Sequence, residues 1–289
     1  MLTLLMAALI GASHPMPAAQ APDTDQTVAV EKGARLTLDN DAGEIIVRGW
    51  DRSEVRVQAR HSSRTTVRVR ANGPAVTISS RGGGMAVASS VDYDITVPRW
   101  MPVKLSGMGA YIQVEDLQAD VSAETMRGDV VIRNVTGTIT AESVEGEIAV
   151  ERATGRVQAT SVNRAIVLSD ITGEIVAESI SGGVRMSSIR SRNVEVNAIS
   201  GGITFAGEIA RDGSYRLMTH SGGIVVTAPT LDATITVRMF SGRFESAFPT
   251  EQVGTPRRGQ AVTHVAGSGQ ARLVLESFSG SVRIRRADK

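Results

Sequence analysis

Three glutamates recur at equivalent places in the sequence: Glu124, Glu142 and Glu178 share an 18-residue register, with Thr160 in the position between the last two. Stacked carboxylates are the raw material of a cation site or of acid–base catalysis. Like charges one strand apart also repel, and Thr160 relieves part of that repulsion. Glu115, Asp116 and Asp120 form a second acidic group near a turn. Neither group has the spacing of a calcium loop, so both read as solvated surface.

His220 stands in a column that is otherwise apolar, with Ile199 before it and Phe240 after. Neither its sequence neighbourhood nor the matching positions of adjacent repeats supply a carboxylate partner. The expected role is a buried or corner-lining imidazole bonded to backbone, Thr219 or Ser221. His220→Phe should then keep the fold and any binding activity.

Ser-Gly-Gly triplets begin at Ser181, Ser200 and Ser221. Phosphate-cradling loops feed a helix whose amides meet the anion, whereas strand patterns follow these triplets. Ser181, Ser200, Ser221, Ser241 and Ser279 suit a hydroxyl ladder at a corner instead. Arg283, Arg285, Arg286 and Lys289, with Arg257 and Arg258, could touch anionic polymers or lipid head groups. The plainer role of such charges is to keep a terminal segment soluble. No residue is assigned a catalytic, cofactor-binding or metal-ligating role.

Composition narrows the field further. The 289 residues carry 31 basic and 30 acidic side chains, so no basic excess marks a nucleic-acid binder. There is no cysteine, which removes disulfides, thiolate metal sites and cysteine nucleophiles together. Valine, isoleucine, threonine, serine and glycine dominate, a strand-and-turn vocabulary.

Residues 2–12, LTLLMAALIGA, form an apolar run too short to span a bilayer but suited to a signal-peptide core. Ala19-Gln20-Ala21 offers the small residues of a cleavage site, giving a signal peptide over 1–21. No basic residue precedes the run, and Pro22 follows the cleavage pattern. No other run is long and apolar enough to cross a membrane, so the mature chain is expected outside the cytoplasm without a transmembrane segment.

The elements that position these residues come from a repeat. Gly128, Gly137, Gly146, Gly155, Gly173 and Gly182 lie on a nine-residue grid, with Arg164 in the one vacant place. Two grid steps make an 18-residue unit, and later units stretch by one to three residues. Aligning the units gives columns. Val121, Ile139, Val157, Ile175, Val194, Tyr215, Ile235 and Leu273 form the first. Two residues on come Ala123, Ala141, Ala159, Ala177, Val196, Leu217, Val237 and Leu275. Thr125, Ser143, Ser161, Ser179, Ala198, Thr219, Met239 and Ser277 follow two residues later. Directly after these come Met126, Val144, Val162, Ile180, Ile199, His220, Phe240 and Phe278. Second half-units supply pairs such as Ile148/Val150 and Ile166/Leu168.

Spacing by two is strand periodicity with one buried face. A single unit cannot bury that face, whereas neighbours stacked above and below can. The predicted fold is all-β: a parallel β-solenoid with about two strands and 18–21 residues per coil. Eight coils would make a rod on the order of 35–40 Å long. Larger inward residues toward the end, and all five phenylalanines between Phe205 and Phe278, predict that it widens toward the C-terminus. Phe240 and Phe278, read as core, should each cost about 3–5 kcal/mol when cut to alanine.

Residues 22–105 show looser strand signals, with Gly82-Gly83-Gly84 as a tip, and read as a β-rich cap continuous with the rod. Residues 106–289 are the regular solenoid, broken by a loop insertion at about 248–269, which is a candidate binding site.

Several stretches resemble the bacterial putative-adhesin domain family, an envelope domain of unknown function. Leu36 to Asp39 and Gly43 to Asp51 are similar to its opening segment, and Tyr93 to Pro98 to its strand-plus-proline. The Ser-Gly-Gly starts and the closing Ser277 to Ile284 resemble its repeat. The resemblance spans roughly Thr27 to Arg286 and implies surface attachment, with no catalytic residues to carry over.

The reading reached from sequence is an exported, non-enzymatic adhesion or interaction module at the cell envelope. Its partner would be an envelope protein or a polysaccharide, with no nucleic acid. Two alternatives stand beside it: an extracytoplasmic carbohydrate-active β-helix enzyme, and a sensor component of an envelope-stress system. Few aromatics for sugar stacking speak against the enzyme: two Trp, three Tyr and five Phe.

Overall fold

The computed structural model describes residues 23–82, 90–254 and 261–287. The signal-peptide reading over 1–21, most of the triple-glycine tip, and Arg257, Arg258 and Lys289 lie outside them. Among the described residues there is no helix, and 21 strands join one long, mostly parallel sheet. The first six are β1 (Thr24–Ala29), β2 (Arg35–Trp50), β3 (Glu54–Arg60), β4 (Thr65–Asn72), β5 (Ala75–Gly82) and β6 (Asp92–Pro98). The regular repeats follow as β7 (Val103–Leu117), β8 (Val121–Thr125), β9 (Val130–Ser143), β10 (Ile148–Ser161), β11 (Ile166–Ser179) and β12 (Val184–Ser200). Shorter strands continue: β13 (Ile203–Gly207), β14 (Ser214–Ser221), β15 (Ile224–Ala228), β16 (Ala233–Ser241) and β17 (Phe244–Ser246). The last four are β18 (Glu251–Val253), β19 (Val262–Ala266), β20 (Ala271–Ser279) and β21 (Val282–Arg286).

Neighbouring repeats pair in parallel at the repeat length. Ile148 faces Val130 on one side and Ile166 on the other, and Ser161 faces Ser143 and Ser179 in the same way. Alternation of apolar and polar residues puts one face of every such strand inside. All residues of the first two predicted columns are buried, as are the second half-unit pairs.

A third inward column separates the halves of each repeat: Leu117, Val135, Ala153, Ile171 and Ile189, all buried. It follows Val114, Ile132, Val150, Leu168 and Met186 by three residues rather than two. Recovering the inward direction after an odd step requires one residue to bulge, and left-handed backbone angles do this. Asp116, Asn134, Arg152, Asp170 and Ser188 take φ between 51° and 61°. Asp and Asn tolerate that conformation better than most residues with a side chain. Gly155 completes the corner at φ 125°, where a Cβ would also strike the carbonyl of Gly137.

Stacking order departs from chain order at both ends. The last repeat, β20 and β21, lies between its predecessors: β20 pairs with β14 and β16, and β21 with β15 and β17. At the other end β2 lies between β7 and the strands β5 and β6. Antiparallel strands then close the stack. β4 covers β5, β3 covers β6, and β1 in turn covers β3. The insertion at 248–269 carries the hairpin of β18 and β19, which pairs with β16. Covering parallel edges in this way removes templates for pairing with other chains.

Candidate functional site

Within a repeat, Val121, Ala123 and Thr125 point inward, so the residue after Thr125 points out. Met126 is 53% exposed. The same parity holds for Ile180, Ile199, Phe240 and Phe278, at 47%, 56%, 55% and 49%. The column read from sequence as core is therefore an apolar ladder on the outer surface. Met108 extends it one repeat earlier, and half-buried Val144 and Val162 fill the middle. Two of the five phenylalanines thus add nothing to the interior, and they no longer support a widening rod. Phe205 is the deeply buried one.

His220 is exposed as well, and it stacks on Phe278 at 4.8 Å with planes 7° apart. The expected bond to backbone, Thr219 or Ser221 is replaced by this ring contact. Phe278 stacks in turn on Phe240 at 4.8 Å and 5°. The neighbour of His220 is Phe278, not Phe240, because the last repeat is inserted before β16.

Hydroxyls do form a ladder, but from other residues than predicted. Ser179 donates to the Gly182 carbonyl at 2.7 Å and accepts from the Gly182 amide at 3.1 Å. Ser161 does the same with Arg164. Thr125, Ser143, Thr219 and Ser277 bond corner carbonyls at 2.9–3.1 Å. These inward hydroxyls satisfy turn groups that would otherwise be buried without partners. Ser181, Ser200, Ser221, Ser241 and Ser279 are exposed instead.

Beside the apolar ladder runs the carboxylate row. Strand pairing places Glu124 next to Glu142, then Thr160, Glu178, Asn197, Met218, Glu276 and Arg238. Glu276 meets Arg238 at 3.4 Å. Glu124, Glu142 and Glu178 have no ion pair or hydrogen bond among the described residues. Asn197 Oδ1, in the same row, is also without a partner.

Between row and ladder lies a groove. Its larger part, about 750 Å³, runs from Thr160 and Val162 to Phe240. A second part of about 380 Å³ shares Thr160 and Val162 and continues past Glu142 and Met126 to Asp39.

No family model matches the chain, and no curated protein does. Among solved structures it is similar to a putative cell adhesion protein from Clostridium sporogenes ATCC 15579. Identity is 9%, coverage is 91% of this chain and 99% of that one, and the TM-score is 0.32. At that distance the likeness carries no argument, and the groove must be read from its own chemistry.

The other face of the repeats is electrically different. Arg133 bridges Glu115 and Glu151 at 3.3 and 3.1 Å, and Arg48 pairs with Asp94 at 2.7 Å. The acidic group near the turn is absorbed there: Asn134 donates to Asp116, and the Thr138 amide donates to Asp120 at 2.8 Å. Arg283 pairs with Glu245 at 3.2 Å, and Arg286 sits over the Phe248 ring at 4.9 Å. Arg285 is exposed. Among the described residues, no three His, Asp or Glu side chains are grouped to hold a metal ion.

Titration shifts cluster away from the groove. Burial pushes the Tyr93 and Tyr215 phenols up. Tyr215 donates to the Ser191 carbonyl at 2.7 Å and accepts from the Ala210 amide at 2.8 Å, so its hydroxyl is structural. Burial lowers His264, which packs on Phe244 at 4.6 Å. Hydrogen bonds from Ser268, and from the amides of the same loop, hold Asp232 below the usual carboxylate range. None of these groups lines the groove.

Proposed function

We propose that this chain is a non-enzymatic interaction module, wound as a parallel β-solenoid and exported to the cell envelope, where the outer apolar ladder docks a partner. The observation that carries the reading is a line of exposed Met, Ile and Phe side chains, one from each of many consecutive repeats. Long contiguous apolar surface on a folded chain marks an interaction site. Parallel pairing of each repeat with the next supports the winding. Export rests on the apolar run at 2–12 and the small residues at Ala19 and Ala21. Resemblance of the glycine-punctuated repeats to the adhesin domain family points the same way. No helix among the described residues is long and apolar enough to cross a membrane.

Carbohydrate processing fits less well. Sugar stacking needs a free aromatic face, whereas both faces of Phe278 are covered by His220 and Phe240. The unpaired carboxylates lie along a row rather than converging on one point.

The test is attachment of the purified full chain to cell-envelope preparations. Ile199→Ser combined with Phe278→Ser should leave the circular dichroism spectrum intact and abolish retention. Full retention by that variant, or polysaccharide cleavage by the parent chain, would overturn the reading.

A further inference from the structure

The groove has two chemically different walls, and both are unsatisfied. One is apolar from Val162 to Phe240; the other carries Glu142 and Glu178 without counter-charges, followed by Glu276, which Arg238 pairs. On the opposite face Arg133 lies within 3.3 Å of both Glu115 and Glu151. A membrane of anionic lipid would meet repulsion here, as would nucleic acid or a fatty acid. The middle ring, Phe278, offers a neutral sugar no open face. What complements both walls at once is a polypeptide segment with an apolar side and a basic side.

Geometry narrows the segment's conformation. Ladder residues recur at the strand separation, about 4.8 Å. A helix returns a side chain to the same face every ~5.4 Å, whereas an extended chain does so every ~6.6–6.8 Å. The helix follows the rungs more closely. The six rungs Val162, Ile180, Ile199, His220, Phe278 and Phe240 span roughly 24 Å, the length of about 16 helical residues.

The rim beside the ladder also leaves room for a helix. Ser-Gly-Gly or Ser-Gly follows Ile180, Ile199, His220, Phe240 and Phe278, so no large side chain rises next to them. Those glycines are themselves enforced: Gly222 takes φ 154°, and a Cβ there would strike the Gly201 carbonyl.

Taking the groove as a docking site, we infer that its occupant is a basic amphipathic helix of about four turns, lying along the ladder with its cations toward Glu142 and Glu178. This rests on the interaction-module reading and adds the partner's chemistry to it.

The test uses the full chain and a fluorescent 16-residue peptide of Leu and Lys at helical spacing, with a same-composition peptide of scrambled spacing as control. Fluorescence anisotropy should show saturable binding of the first peptide, at least tenfold weaker for the second. Peptide helicity should rise on binding. Glu142→Gln with Glu178→Gln should weaken binding at least tenfold and flatten its salt dependence. Ile199→Ser with Phe278→Ser should do the same to affinity, and Glu115→Gln on the other face should leave it unchanged. Equal binding of both peptides, no gain of helix, or indifference to the groove variants would overturn the inference. So would concentration-dependent self-association that the ladder variants abolish, or preferential binding to anionic phospholipid vesicles. If peptide binding fails while the ladder variants still lose envelope attachment, the helix is wrong and the docking surface stands.

Discussion

Phe278 lies face to face with His220, centroids 4.8 Å apart, while Phe240, nearer to His220 in sequence, stacks on the far side of Phe278. The arrangement exists because the last repeat enters the stack between two earlier ones. It also sets what each ring contributes: contact with other exposed rings, not with the interior.

Cutting Phe278 or Phe240 to alanine should therefore cost little stability, under about 1.5 kcal/mol, the scale of an aromatic pair. Phe205→Ala, by contrast, should cost about 3–5 kcal/mol as a core deletion. Urea unfolding of the three variants checks this. A loss above 3 kcal/mol for Phe278→Ala would place that ring back inside.

Arg152 pays for a corner geometry that its neighbours in the column meet with Asn or Asp. Its φ of 51° is a conformation that costs most side-chain-bearing residues about 1–2 kcal/mol. Arg152→Asn should recover part of that cost and raise the urea midpoint. The ion pair it gives up, with Glu151 at 3.6 Å, is exposed and weak. A lower midpoint would mean that the arginine supports the corner in another way.

Ser179 and Ser200 separate the real hydroxyl ladder from the expected one. Ser179→Ala leaves the buried Gly182 carbonyl and amide without their bonds, at a cost of about 1–3 kcal/mol. Ser200→Ala, on the surface, should stay within about 0.5 kcal/mol of the parent. Denaturant midpoints of the pair decide it, and equal midpoints would contradict the assignment.

His264 ties the β18–β19 hairpin to pH. Burial lowers its folded pKa below the ordinary 6.5 of a histidine, so the folded state favours the neutral ring. Its contribution to stability is complete above that value and is lost as pH falls through it toward the folded pKa. Amide exchange in β19, corrected for intrinsic rates, should quicken between pH 7.5 and 5.5. His264→Phe should flatten that change, and an unchanged pH response would remove the histidine as its source.

Most of the interior was legible because strand parity writes it directly: Val121, Ala123 and Thr125 alternate inward, and so do their counterparts eighteen residues on. The same parity places Met126 outside. Residue type pointed the other way, since Ile and Phe are read as core by habit, and that is where the expectation failed. The Leu117-to-Ile189 column stayed hidden because a left-handed residue breaks period two just before it. Stacking order at the C-terminus left no trace in sequence, because Leu273 and Ile235 fill equivalent inward sites whichever repeat comes first. The groove follows from both misses. Its apolar wall was assigned to the core, and its carboxylate row was visible but had no surface to belong to.

Because the chain has no cysteine of its own, introduced thiols report without interference. Strand neighbours sit close enough for a disulfide, whereas positions two strands apart, roughly 9–10 Å, do not. Mild oxidation of a His220→Cys, Phe278→Cys double variant should give an intramolecular disulfide, and both thiols should react rapidly with a water-soluble reagent beforehand. If the cross-link forms instead between His220→Cys and Phe240→Cys, or if these thiols react only after unfolding, then the outer ladder is not built as described.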